Sequence, residues 1–194
     1  MNDPINTPAL WSLETERLQL VHLSTVEPDA MRQFTLRNKE HLAATSPSRP
    51  AGFYTREFWA ERIVLARTEL EDGVAVRLVG RLHGAEPIAL TVNFTQIVRG
   101  PMQACYLGYD CDGAQQGQGL MTEALRAAIA HLFDVLDLHR IMANHLVENV
   151  ASARVLAKLG FAVEGRAANL LLIAGEWRDH ILNARINPNW RGLY

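Results

Sequence analysis

The residues best placed to do chemistry are Gln116, Gly117, Gln118 and Gly119, followed directly by Leu120 and Met121. They join a segment that alternates as a strand, Ala104 to Cys111, to one whose Met121, Leu125, Ile129, Leu132 and Leu136 recur at helical spacing. The first turn of a helix offers unpartnered backbone N–H groups and the positive end of its dipole, so a phosphate held there gains hydrogen bonds and charge complementarity together. Glycines let the phosphate oxygens approach the backbone. No acidic residue precedes Glu123 in this helix, which predicts a first turn free of repulsion. The bland alternative is that Gly113, Gly117 and Gly119 only make a tight strand-to-helix turn. The run lacks the complete GxGxxG of a dinucleotide fold, so another phosphate-bearing ligand is required.

A second string, Asn149 to Phe161, specifies a helix: Asn149 suits an N-cap, Val155, Leu156 and Leu159 form an apolar stripe, and Gly160 suits the stop. Capping alone would explain Asn149, and a solvated first turn would explain Ser152. A ligand role stands beside each of these readings. The two strings, in this order with a short strand Arg140 to Leu146 between them, resemble the GNAT superfamily of N-acetyltransferases. Gln116 and Gly119 match the motif of Gln or Arg, two residues, Gly, one residue, then Gly or Ala, whereas Met121 stands where a small residue is usual. That departure is familiar in the branch that acetylates ribosomal-protein N-termini. NFTQIVRG at 93–100, CYLGYD at 105–110, GQGLMTEAL at 117–125, HRIMAN at 139–144 and GEWRDHILNA at 175–184 look like the RimJ/RimL branch, and the likeness runs from Glu14 to Asn187.

The resemblance implies acetyl-CoA as donor, lying where the fourth and fifth strands splay. Its pantetheine would pair with backbone at Tyr109, Asp110 and Cys111, beside a bulge for which Gly108 is the candidate. Its pyrophosphate would sit on Gln116 through Met121, and Asn144, Asn149 and Ser152 would face the pantetheine and thioester. Ser152 would donate a hydrogen bond or proton to the leaving thiolate. Many relatives carry a glutamate base where this chain has Tyr106, and RimL-like enzymes carry one where it has Leu171. Glu148, Asp110 or a water held by Tyr106 would have to serve instead. The implied acceptor is the N-terminal α-amine of a protein, above all an Ala-initiated ribosomal protein, with Tyr54, Asn93, Tyr106 and Trp177 as candidate acceptor contacts. His139 and the Trp177–Arg178–Asp179 string could line the same cleft or be plain sheet-edge contacts. A small-molecule amine acetyltransferase of the same fold and a non-catalytic acyl-CoA-binding module are the competing readings.

The surrounding elements must position these residues. A strand is predicted over Thr15–Leu23, then a helix begun by Ser24, Thr25 and Pro28 with Met31 and Phe34 inward. A loop is predicted from His41 to Tyr54, then a helix capped by Thr55, with Trp59, Ile63, Ala66 and Leu70 forming an apolar stripe and Gly73 as stop. Val74–Leu78 and Ile88–Phe94 read as a hairpin, and Ala162–Leu172 and Trp177–Ile186 as the last two strands. The expectation is one domain over residues 1–194, of α/β (α+β) class. Its sheet is mixed but mostly antiparallel, with six or seven strands, the fourth and fifth splayed, and about four flanking helices.

With 48% hydrophobic and 21% charged residues and a net charge of −2, the chain reads as a globular protein without the basic footprint of a nucleic-acid binder. No apolar run suggests a membrane span or signal peptide, so a cytoplasmic location is expected. The seven histidines show no metal-ligand spacing, and no metal is expected. Cys105 and Cys111, six residues apart on one strand, lie too far apart to bond each other and read as buried strand residues. A homodimer is left open.

Overall fold

A computed structural model describes residues 7–192. Eight strands form one sheet in the order β1-β2-β3-β4-β5-β6-β8-β7, with β1 at Leu13–Glu14, β2 at Leu18–His22, β3 at Val76–Leu82, β4 at Ile88–Val98, β5 at Ala104–Cys111, β6 at Arg140–Leu146, β7 at Ala162–Ile173 and β8 at Glu176–Ile186. Every pairing is antiparallel except β5 with β6. The helices are α1 at Pro28–Arg37, α2 at Lys39–Ala43, α3 at Arg56–Glu71, α4 at Leu120–Leu136 and α5 at Val150–Lys158. The expected class and mostly antiparallel sheet stand. The predicted first strand starts later, at Leu18, because the Thr15 amide closes a turn on the Leu18 carbonyl, and the two residues before that turn, Leu13 and Glu14, form the unpredicted short strand β1. The expected splayed pair is therefore β5 and β6. Lys39 to Ala43, partly assigned to the loop, forms short α2, and the chain before Pro28 makes a 3-10 turn instead of the predicted cap.

Strand alternation divides the core between two faces. Leu90, Val92 and Phe94 of β4 and Cys105 and Leu107 of β5 pack with Leu125, Ile129 and Leu132 of α4 and Leu156 of α5. Each fully buried leucine or isoleucine of that stripe contributes about 2 kcal/mol, which makes α4 the chief anchor of its face. The opposite face packs Val79 and Ile88 against Met31 and Phe34 of α1 and Trp59 and Ala66 of α3. Thr55 caps α3 as expected, its hydroxyl accepting from the Phe58 amide at 3.2 Å.

The parallel β5–β6 ladder covers only Ala104 with Arg140, Cys105 with Ile141 and Tyr106 with Met142, after which the strands part. Residues Leu107 to Cys111 keep their β4 partners but present an open edge toward β6. The opening needs no bulge at Gly108, which pairs in register with Asn93. The irregularity is instead on β4 between Thr95 and Val98, where Gln96 takes φ 52°. A bulge there turns the base of the sheet and adds twist, while the divergence itself follows from β6 continuing its ladder with β8.

Candidate active site

The glycine loop sits at the mouth of this splay. Asp112 follows β5 and caps a short turn by accepting from the Ala114 amide at 2.9 Å. Gly117 and Gly119 then take φ 74° and 80°, left-handed values that glycine adopts without strain, and α4 begins at Leu120. A Cβ on Gly117 would meet nothing within 4 Å, so the loop is an open cradle with the backbone accessible. Leu120 and Met121 are buried in the core, leaving only their backbone N–H groups available to a ligand. The Met121 side chain is packed into the core that α4 makes with the sheet, away from the loop.

The loop is held from both sides. Asn38, at the end of α1, accepts from the Gly113 amide at 2.9 Å and donates to Asp112 at 3.3 Å, and Arg37 donates to the same carboxylate at 2.5 Å. Burial pushes the Asp112 carboxyl up, but the Ala114 amide, Arg37 and Asn38 outweigh it and hold it below the usual range. Gln116 meets His41 of α2 at 2.9 Å, and Gln118 turns its side chain back onto the Ala114 carbonyl at 3.2 Å. Glu123 departs from the sequence expectation, for its carboxylate belongs to the first turn of α4 and is paired with Arg17 at 2.7 Å.

On the α4/α5 side of the splay, the Tyr109 hydroxyl and the Ser152 hydroxyl share a hydrogen bond of 2.7 Å. Burial drives the Tyr109 phenol up to about 12, with the Ser152 bond acting against it, so both groups stay protonated across the working range. Ser152 is held there because the Asn149 side chain accepts from the Ser152 amide at 3.0 Å. The capping reading of Asn149 is thus correct, and its side-chain oxygen is engaged. Sequence reasoning valued Tyr109 for its backbone and missed its phenol. Alternation was the available signal, since Cys105, Leu107 and Tyr109 project to one face and α5 packs on that face.

The opposite face carries Tyr106, Gly108 and Asp110 opposite Thr95, Asn93 and Thr91. A cavity of about 170 Å³ opens there, lined by Asn93, Asp110, Arg77, Arg62, Arg49 and Phe53 among others. Burial raises the Asp110 carboxyl above its usual value, opposed by Arg49, by His41 and by a hydrogen bond from Thr91. Asn93 accepts from Arg77 at 3.3 Å, and Arg77 and Arg62 are both tied to Glu69. Tyr54 lines an adjoining cavity with Lys39, Arg49, Phe53 and Ala174, and the loop that carries it bridges to the last strands through Pro47 and Ile173. The structure therefore brings Tyr54, Asn93 and Tyr106 to one side of the sheet. Asn144 shares this face by alternation from Ala143, on the stretch of β6 that β5 has left.

Trp177 does not join them: it is 61% exposed, beside Leu172 on the terminal hairpin. Arg178 pairs with Glu148, Asp179 with Arg166, and the His139 ring packs on Trp190, so these are sheet-edge contacts. Burial pushes the Cys105 thiol up to about 12 and, with Asp112 and Asp110 adding to it, the Cys111 thiol up to about 11, so neither is a nucleophile at neutral pH. Cys111 is half-buried rather than fully enclosed.

An anion cradle opening into a slot between parting strands suits a long, thin ligand with phosphates at one end, and a cavity across the sheet leaves room for a second reactant. That is a group-transfer enzyme working on a bound donor. The chain belongs to the GNAT acetyltransferases: the Acetyltransferase (GNAT) domain model matches residues 17–162. It is 38% identical over 182 residues to the [ribosomal protein uS5]-alanine N-acetyltransferase of Escherichia coli, covering 92% of each chain. It is also 37% identical over 158 residues to the probable N-acetyltransferase YjcK of Bacillus subtilis, covering 78% of this chain and 84% of that one. The crystal structure of the ribosomal-protein-S5-alanine acetyltransferase from Vibrio fischeri superimposes with a TM-score of 0.90 at 35% identity, over 93% of this chain and 99% of that one. The protein is an acetyl-CoA-dependent N-acetyltransferase.

Proposed function

We propose that the acceptor is the N-terminal α-amine of a protein, specifically an Ala-initiated ribosomal protein, acetylated in one step within a ternary complex. The observation that carries this reading is the reach of the similarity: it runs through 92% of both this chain and the uS5-alanine N-acetyltransferase. It therefore takes in the acceptor-side helices and loop as well as the donor site. Acetyl-CoA supplies a thioester carbonyl open to attack and a thiolate leaving group.

This chain's own residues divide the remaining work. The amides of Gln116 to Met121 would receive the pyrophosphate, and the open edge of Tyr109, Asp110 and Cys111 would pair with the pantetheine. The Ser152 hydroxyl, backed by Tyr109, would donate to the departing thiolate. Asn93, Tyr54 and Tyr106 would hold the acceptor across the sheet. Glu148 is occupied by Arg178. That leaves Asp110 and a water on Tyr106 as the proton acceptors for the amine. Little help is needed: an α-amine of pKa ~7.7–8.0 costs only about 1 kcal/mol to neutralise at pH 7, against about 4.6 kcal/mol for a lysine at ~10.4. We read residues 1–194 as one domain working in the cytoplasm, and the near-neutral charge of −2 favours a protein acceptor over a nucleic acid. No helix among the described residues is long and apolar enough to cross a membrane.

The test is incubation with acetyl-CoA and an Ala-initiated peptide containing an internal lysine. Acetylation of the α-amine alone is expected, with kcat/KM rising with pH and levelling near about 8. Acetyl on lysine, or transfer only to small amines, would overturn the acceptor assignment.

A further inference from the structure

Glu123 is an anion in the first turn of the helix whose start must welcome another anion. Left alone, it would weaken the positive end of the α4 dipole and repel phosphate. It is not alone: Glu123 Oε1 accepts from the Thr15 hydroxyl at 2.6 Å and the Arg17 amide at 2.8 Å, and Oε2 accepts from Arg17 Nε at 2.7 Å, with Arg17 Nη2 also at 2.7 Å. These partners outweigh the upward push of burial and hold the carboxyl below its usual range. The remaining arm of the guanidinium is occupied too, Nη1 donating to the Gln118 carbonyl at 2.9 Å.

That last bond acts on the loop. Gly119 follows Gln118 with φ 80°, and a glycine imposes little steric resistance to rotation of the preceding peptide unit. In a trans peptide the N–H points opposite to the C=O, and the described chain holds no cis bond. Fixing the Gln118 carbonyl against Arg17 therefore turns the Gly119 N–H away from Arg17, toward the open side of the loop. A Cβ placed on Gly119 would lie 3.6 Å from Arg17 Nη2, so the guanidinium rests directly against the turn it controls.

We propose that Arg17 is a positioning residue for the pyrophosphate of acetyl-CoA, cancelling the charge of Glu123 and locking the Gln118–Gly119 peptide with its N–H presented to the ligand. The assignment rests on the Gln116–Met121 loop being the pyrophosphate site. It gives a role to the β1–β2 turn, which lies about a hundred residues away in sequence and outside both motifs.

The test compares ligands with and without the pyrophosphate. Calorimetric titration of Arg17→Gln with coenzyme A is expected to show affinity weakened about tenfold, while kcat/KM with acetylpantetheine as donor stays within about twofold of the wild type. Arg17→Gln combined with Glu123→Gln should regain part of the coenzyme A affinity, because the uncompensated charge is gone; no recovery would show that cancelling the Glu123 charge is not part of the role of Arg17. Arg17→Lys, which keeps the charge but lacks the planar fork, should fold as the wild type and fall between the two, and it serves if Arg17→Gln does not fold. Loss of coenzyme A and acetylpantetheine in equal measure, or unchanged coenzyme A affinity in Arg17→Gln, overturns the proposal. If the wild type itself uses acetylpantetheine as well as acetyl-CoA, the pyrophosphate site falls and the proposal with it. A wild-type preference for acetyl-CoA that survives intact in Arg17→Gln sinks the proposal alone.

Discussion

The proposed role of Ser152 toward the leaving thiolate turns on two hydroxyl groups. Serine is a poor proton donor in water, but Ser152 is fixed by its capped amide and shares a 2.7 Å bond with Tyr109, whose phenol is kept protonated by burial. A hydrogen bond donated from this pair matters most when charge appears on sulfur, in the transition state and not in the ground state. Ser152→Ala should therefore lower kcat by about 10- to 100-fold with little change in the KM for acetyl-CoA. Tyr109→Phe should cost less, since Ser152 remains, and the double variant should be no worse than Ser152→Ala, because the two act in series. Steady-state kinetics on the four proteins decides this; additive losses would mean the hydroxyls work separately. With the phenol raised to about 12, no ionisation of Tyr109 should mark the rate profile below pH 10.

At the scale of elements, the site is made by ends: the open edge of β5, the start of α4 and the start of α5. Helix starts leave N–H groups without partners, and a side-chain cap decides which remain for a ligand. In α5 the Asn149 oxygen takes the Ser152 amide, so the cap that stabilises the helix also aims the catalytic candidate. Asn149→Ala is expected to cost about 1 kcal/mol and lower Tm by about 2–4 °C while also reducing kcat, whereas Asn149→Asp, an equally good cap, should keep both. Thermal melts paired with kinetics check it. A stable Asn149→Ala with normal turnover would show that Ser152 needs no such aiming. In α4, by contrast, Gly119 occupies the cap position and offers no side-chain acceptor, which keeps that helix start available.

For the whole molecule, stability should depend on acidity through His22. This imidazole is fully buried in β2, and its pKa falls from 6.5 to about 4, chiefly through burial and secondarily through Arg67 and Arg77. The folded pKa lies below the unfolded one, so as pH drops the unfolded chain takes up the proton first. The contribution is fully present above about 6.5 and is lost progressively down to about 4, amounting to about 3 kcal/mol over that window. Chemical denaturation at pH 7 and pH 5 should show the wild type losing stability faster than His22→Asn, whose amide oxygen can replace the ring nitrogen that accepts from the Ser24 amide. Equal losses in the two proteins would assign the acid sensitivity to other groups.

The sequence by itself determined what depends on neighbours in the chain. The periodicity of α3 and α4, the caps at Thr55 and Asn149, and the bounds of β5 and β6 all follow from local spacing and turn residues. The glycine turn was legible too, because positive φ leaves a residue-level mark. Only the tertiary structure decided where Tyr109 points its hydroxyl, that Trp177 stands exposed on the terminal hairpin, and that Glu123 is neutralised from 106 residues away. A pairing between residues that distant carries no period and no local geometric constraint. It exists because the sheet order places the β1–β2 turn beside the start of α4, and that order is chosen by burial over the whole core.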